Sequence, residues 1–102
     1  MSRLDTLRSM LAEDPANTFA RYGLATELKN TGDGEGAVGE FEKVLQVNPN
    51  YSAAYFHGGQ TLEKLGRMED ARDWYTRGVR AAVNNGDAHA QAEMQAALDL
   101  LG

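Results

Sequence analysis

Residues Thr18–Tyr51 read TFARYGLATELKNTGDGEGAVGEFEKVLQVNPNY, and Ser52–Asn85 read SAAYFHGGQTLEKLGRMEDARDWYTRGVRAAVNN. The second string is the first displaced by 34 residues without a gap. At that displacement Tyr22 meets Phe56, Leu28 meets Leu62, Gly32 meets Gly66, Ala37 meets Ala71, Phe41 meets Tyr75 and Leu45 meets Val79. The two prolines, Pro15 and Pro49, keep the same spacing. A fixed period of this length marks an array in which each unit buries its apolar face only against its neighbours.

Each unit reads as two helices. In the first, Asn17 or Thr18 is the N-cap, Leu24, Ala25 and Leu28 form an apolar stripe, and Gly32 closes the helix. The second helix carries Ala37, Val38, Phe41, Val44, Leu45 and Val47 and stops at Asn48-Pro49. In the next unit Tyr55, Gly58, Gly59 and Leu62 take the first helix, and Ala71, Trp74, Tyr75, Val79 and Val83 the second. Val83 stands where a proline would, so this helix is predicted to run to Asn84-Asn85-Gly86. Gly58 stands where Leu24 stands, which predicts looser packing of the second hairpin. Trp74, beside the core position Tyr75, reads as half-buried.

The flanks extend the plan. Ser2 and Asp5 have capping-box spacing, and Leu4, Leu7, Met10 and Leu11 fall on one helical face before Asp14-Pro15. Residues 3–17 therefore match the second half of a unit. Asp87 caps a last helix, Ala88–Leu101, with Ala90, Met94, Ala97, Leu98 and Leu101 on one face. In a strict 34-residue register Glu93 takes a small-residue position, so residues 86–102 are read as a solvating cap. The expectation is a single all-α domain over residues 1–102, with about six helices and no strand.

Composition bounds the function. With 102 residues, 42% hydrophobic and 25% charged, the chain suits one folded domain. It has no cysteine, which excludes disulfides, thiolate catalysis and cysteine metal sites. A net charge of −5 opposes nucleic-acid binding. MSRLDTLRSMLAEDP lacks the apolar core of a signal peptide, and no run approaches a membrane span. A cytoplasmic protein is expected, without membrane partner, metal or cofactor.

The residues Leu24, Ala25, Leu28, Gly32, Ala37, Phe41, Val44 and Pro49, repeated as Tyr55, Gly59, Leu62, Gly66, Ala71, Tyr75 and Gly78, resemble the tetratricopeptide repeat. The family's tryptophan position holds Arg21 in the first unit. The resemblance implies antiparallel helix–turn–helix units stacked as a short right-handed superhelix. It also implies a protein-interaction module, whose first helices line a concave groove for a peptide or helix of a partner. The groove positions would be Phe19, Tyr22, Thr26, Lys29 and Asn30, then Phe56, His57, Gln60, Glu63 and Lys64. Tyr22 and Phe56 would form an aromatic ladder with Phe19, suited to apolar anchors on the partner; the alternative is that these rings only pack between adjacent helices. The lysine that clamps a chaperone's C-terminal carboxylate in some members would fall at Tyr22 or Phe56, which argues against that ligand. The alternative function is a structural unit that self-associates as a homo-oligomer.

Other signals carry less. Gly34-Glu-Gly36-Ala-Val-Gly39 spells G-x-G-x-x-G, but a dinucleotide site needs a strand before it, and Leu24–Asn30 reads as helix. His57 and His89 lack a third ligand at metal spacing. Glu40, Glu42, Glu63, Glu69 and Asp73 read as solvated faces. Arg67, Arg72, Arg77 and Arg80 gather on one helix, diluted by Glu69, Asp70 and Asp73. No nucleophile–base pair emerges, and no enzyme is expected.

Overall fold

A computed structural model describes residues 2–102; Met1, the first residue of the single domain read above, lies outside the described residues. Six helices follow one another: α1 (Arg3–Glu13), α2 (Thr18–Asn30), α3 (Gly34–Val47), α4 (Ser52–Lys64), α5 (Met68–Asn85) and α6 (Ala88–Leu101). Among the described residues there is no strand, and no helix is long and apolar enough to cross a membrane.

Local chemistry sets the boundaries. Ser2 and Asp5 make the full capping box on α1. Asn17, Asp33 and Asp87 each accept an N3 backbone N–H, starting α2, α3 and α6. The turns inside the two hairpins are alike. Gly32 and Gly66 take φ of 95° and 77°, and this left-handed step lets Asp33 N reach Leu28 O and Arg67 N reach Leu62 O, both at 2.9 Å.

The helices pair as hairpins, α2 with α3 and α4 with α5, and the hairpins stack through α3 against α4. The molecule measures 41 × 29 × 19 Å, and the thin dimension is two helix layers at the usual spacing of about 8–10 Å. Phe41 and Tyr75, at equivalent positions, are fully buried, as are Ala25, Ala37, Ala71 and Leu62. Val47 and Val83, read above as part of the apolar stripes, are exposed near the ends of α3 and α5.

Three expectations are corrected. The second hairpin is not loosely packed at Gly58: a Cβ there would lie 2.1 Å from Cζ3 of Trp74, whose indole occupies the space. Trp74 is accordingly buried, at 7% exposure, rather than half-buried. At Gly59, the three atoms nearest to an added Cβ all belong to the Tyr75 ring.

The third correction concerns α6. α5 runs 18 residues against 14 for α3, so α6 begins 36 residues after α4, where α4 begins 34 after α2. With that two-residue slip Ala90, Met94 and Leu98 fall on Ala54, Gly58 and Leu62, and Met94 is fully buried. Glu93 leaves the small-residue position, and the exposed Gln95 takes it. α6 packs on α5 and touches α4, as α4 packs on α3 and touches α2. It therefore takes the place of a first helix, with the side away from α4 and α5 exposed.

Two side-chain sets show how one plan tolerates different chemistry. Arg21 donates to the Pro15 carbonyl at 3.1 Å, and Tyr55, its equivalent, donates to the Pro49 carbonyl at 2.8 Å. Arg21 also pairs with Glu40 at 2.6 Å, and at the equivalent positions Tyr55 meets Trp74 edge to face at 6.2 Å. A half-buried ion pair beside Leu24 in one unit becomes an aromatic pair beside Gly58 in the next.

Candidate partner-binding face

α2, α4 and α6 come together on one side of the stack, and Lys29 ties the first two. Its Nζ donates to Gln60 Oε1 at 3.0 Å. It lies 3.2 Å from His57 Nδ1, and an ammonium has no lone pair, so the imidazole must accept. The ring's proton then sits on Nε2. Burial first, and the Lys29 charge second, push the His57 pKa below its ordinary value; Glu93 on α6 and the Gln60 hydrogen bond oppose this. Burial, and then Lys64, push the Lys29 pKa down. No carboxylate lies within ion-pair distance of Lys29 or Lys64 among the described residues.

The aromatic side chains gather around His57. Tyr22 lies 5.1 Å from Tyr51, 5.9 Å from Phe41 and 6.1 Å from His57, measured between ring centroids. Phe56 lies 5.5 Å from His57 and 6.4 Å from Tyr75. His57 is stacked over Phe41 at 6.4 Å with an interplanar angle of 16°. Tyr22 and Phe56 are thus linked through His57 and rest on the core rings Phe41 and Tyr75, half-buried. Burial, with Tyr51 second, raises the Tyr22 pKa.

The other named positions divide. Phe19, one turn before Tyr22 on α2, takes no part in this ring network and is 76% exposed, so the expected three-ring ladder does not form. Thr26 is half-buried and donates back to the Tyr22 carbonyl, one turn earlier on α2, at 2.9 Å. Glu63 accepts the Tyr75 hydroxyl; burial and this carboxylate hold that phenol's pKa above its usual value. Asn30 and Lys64 are exposed. Gln60, Glu63 and Lys64 line a shallow depression of about 260 Å³. Tyr51 and Glu93 belong to this face although the repeat spacing did not mark them. Tyr51, the N-cap of α4, has Asn17 and Asp87 at the equivalent positions, and Glu93 reaches the face only because α6 is slipped.

The remaining motifs resolve as structure. The helix α2 and its turn precede Gly34, whose missing Cβ makes room for Leu65 at 3.0 Å, while Gly36 lies against the Asp33 cap. Among the described residues no group of three His, Asp or Glu could hold a metal. Arg67 pairs with Asp70 at 2.8 Å, and Arg72 with Glu69 at 3.1 Å.

The likenesses agree with this architecture. The model of the Tetratricopeptide repeat family matches residues 28–101. A TPR repeat-containing protein of Pseudomonas aeruginosa is 30% identical over 91 residues, which are 89% of this chain and 87% of that protein. The solution structure of a tetratricopeptide repeat domain protein from Salinibacter ruber superposes with a TM-score of 0.80 at 33% identity, covering 86% of this chain and 89% of that one. The solution structure of a Bordetella parapertussis protein superposes with a TM-score of 0.85 at 28% identity, covering 99% and 88%.

The fold is a short α-helical repeat solenoid. The chain belongs to the tetratricopeptide repeat family, whose repeats are in general protein-interaction modules.

Proposed function

We propose that the chain holds a peptide or helix of a partner protein on the face shared by α2 and α4. The observation that carries this reading is the exposure of Phe19 one turn from Tyr22, beside a face whose Lys29 and Lys64 have no carboxylate within ion-pair distance among the described residues. An exposed phenylalanine at the edge of a half-buried aromatic patch supplies an apolar anchor surface. Lys29 and Lys64 add positive charge at the other end. The partner that fits carries apolar anchors followed by a carboxylate, and an apolar segment with a basic residue in that place is disfavoured.

The test is selection of binding peptides from a displayed random library, followed by affinity measurement on Phe19→Ala and Lys29→Ala. Enrichment of apolar-then-acidic peptides that weaken on both variants supports the reading. Peptides that bind both variants as tightly as the parent chain contradict it. A concentration-dependent sedimentation coefficient without peptide, abolished by Phe19→Ala, would favour self-association through the same face.

A further inference from the structure

We propose a second binding site, on the outer edge formed by α5 and the α3–α4 turn, that takes a carboxylate of an acidic segment of a protein partner. Pro49, Asn50, Tyr55, Arg77, Arg80 and Asn84 line a depression of about 210 Å³ there. It is separate from the face described above: Tyr55 precedes His57 by two residues, which places it about 200° away around α4.

The pocket has the features of a carboxylate site. Arg77, Arg80 and Asn84 follow one another at helical spacing along a single stripe of α5. No lining residue is acidic, in a chain whose net charge is −5. After Asp73 the rest of α5 carries no carboxylate at all.

Its walls are held in place. The Tyr55 hydroxyl donates to the Pro49 carbonyl at 2.8 Å, which fixes the ring. The Arg77 guanidinium lies over that ring, 5.3 Å from its centroid, and 3.3 Å from Asp73. Asn84 donates to Asn50 Oδ1 at 3.3 Å, and Asn85 donates to the Asn50 carbonyl, tying the turn to α5. Arg80 makes no ion pair or hydrogen bond to a side chain among the described residues, so its donors are free.

The shape favours a side chain over a bare oxyanion. Pro49 and Tyr55 offer apolar surface on which the aliphatic stem of a glutamate packs, while its carboxylate reaches the two guanidiniums, whose forked donors match its geometry. A segment with several acidic residues would continue along the α5 stripe.

The experiment is an NMR titration of the full chain with a hexaglutamate peptide, following the Arg Nε–Hε and Asn side-chain amide signals. Saturable shifts at Arg77, Arg80 and Asn84 are expected. Arg80→Gln and Arg77→Gln should each weaken binding roughly ten-fold, and Arg8→Gln on α1 should leave it unchanged. Shifts spread equally over Arg3, Arg8 and Arg67 would overturn the proposal, as would unaltered binding to Arg80→Gln. Tighter binding of inorganic phosphate than of the peptide at the same signals would overturn the peptide assignment. If the arginines serve only to complement the α5 dipole, Arg80→Gln lowers the melting temperature and the peptide shifts nothing.

Discussion

The Cβ that Gly58 lacks would lie 2.1 Å from Cζ3 and 2.4 Å from Cε3 of Trp74. The indole fills the position that a side chain on α4 would otherwise take. In the first unit the equivalent pair is Leu24 with Glu40, large against flexible, and in the second it is nothing against the largest side chain. The two residues act as one piece of the core.

Gly58→Ala should therefore destabilise the fold, against the usual helix preference for alanine. A loss of about 1–3 kcal/mol is expected from overpacking. In a Trp74→Leu background the same change should cost much less, because the clash has gone. Denaturant melts of the four chains of this double-mutant cycle measure the coupling.

Gly39→Ala should do the opposite. A Cβ at Gly39 meets nothing within 4 Å among the described residues beyond its chain neighbours and the backbone of its own helix, and the residue lies inside α3 with a negative φ. Less backbone freedom in the unfolded chain should add about 0.5–1 kcal/mol to stability. Thermal melting checks the sign.

The plan of the array was legible because its determinants are local and periodic. Asn17, Asp33 and Asp87 start helices through their own side chains, and Gly32 and Gly66 end them. The depth of Trp74 was not legible, since it depends on Gly58 across the hairpin. The register of α6 was hidden because α5 is four residues longer than α3 and the connection after it two residues shorter, where Val83 replaces the proline that stops α3. On the candidate face the periodic positions were legible, but two members were not: Tyr51 comes from an aperiodic position and Glu93 from the slipped helix. The isolation of Phe19 from the other rings follows from its place in the first turn of α2, ahead of the neighbouring hairpin.

Stability should fall as pH drops below about 6.5. The folded state holds His57 neutral with a lowered pKa, so the unfolded chain binds the proton first. The stability present above the ordinary histidine value of 6.5 is lost as pH falls toward the lowered folded value. Protonation also places a second positive charge against Lys29. Denaturant midpoints between pH 7.5 and 5.5 should show this slope in the parent chain and in His89→Gln, and a flatter one in His57→Gln.

Phe19 and Leu28 should separate binding from packing on one helix. Phe19→Ala removes a ring that is 76% exposed and should change stability by less than about 0.5 kcal/mol. Leu28→Ala opens a cavity beneath the same helix and should cost about 2–5 kcal/mol. Tyr22→Ala and Phe56→Ala should fall between them, because both rings rest on Phe41 or Tyr75. Melting temperatures of the four variants test the order.

The central claim is that the face of α2 and α4 holds the partner, and its most direct test is an amide chemical-shift map of the chain with a library-selected peptide. The account predicts the largest shifts at Phe19, Tyr22, Lys29, Phe56, His57 and Gln60, with Phe19→Ala weakening the complex by about 1–2 kcal/mol while melting normally. Shifts confined to α1, to the outer stripe of α5 or to the exposed side of α6, with binding untouched in Phe19→Ala, would contradict it.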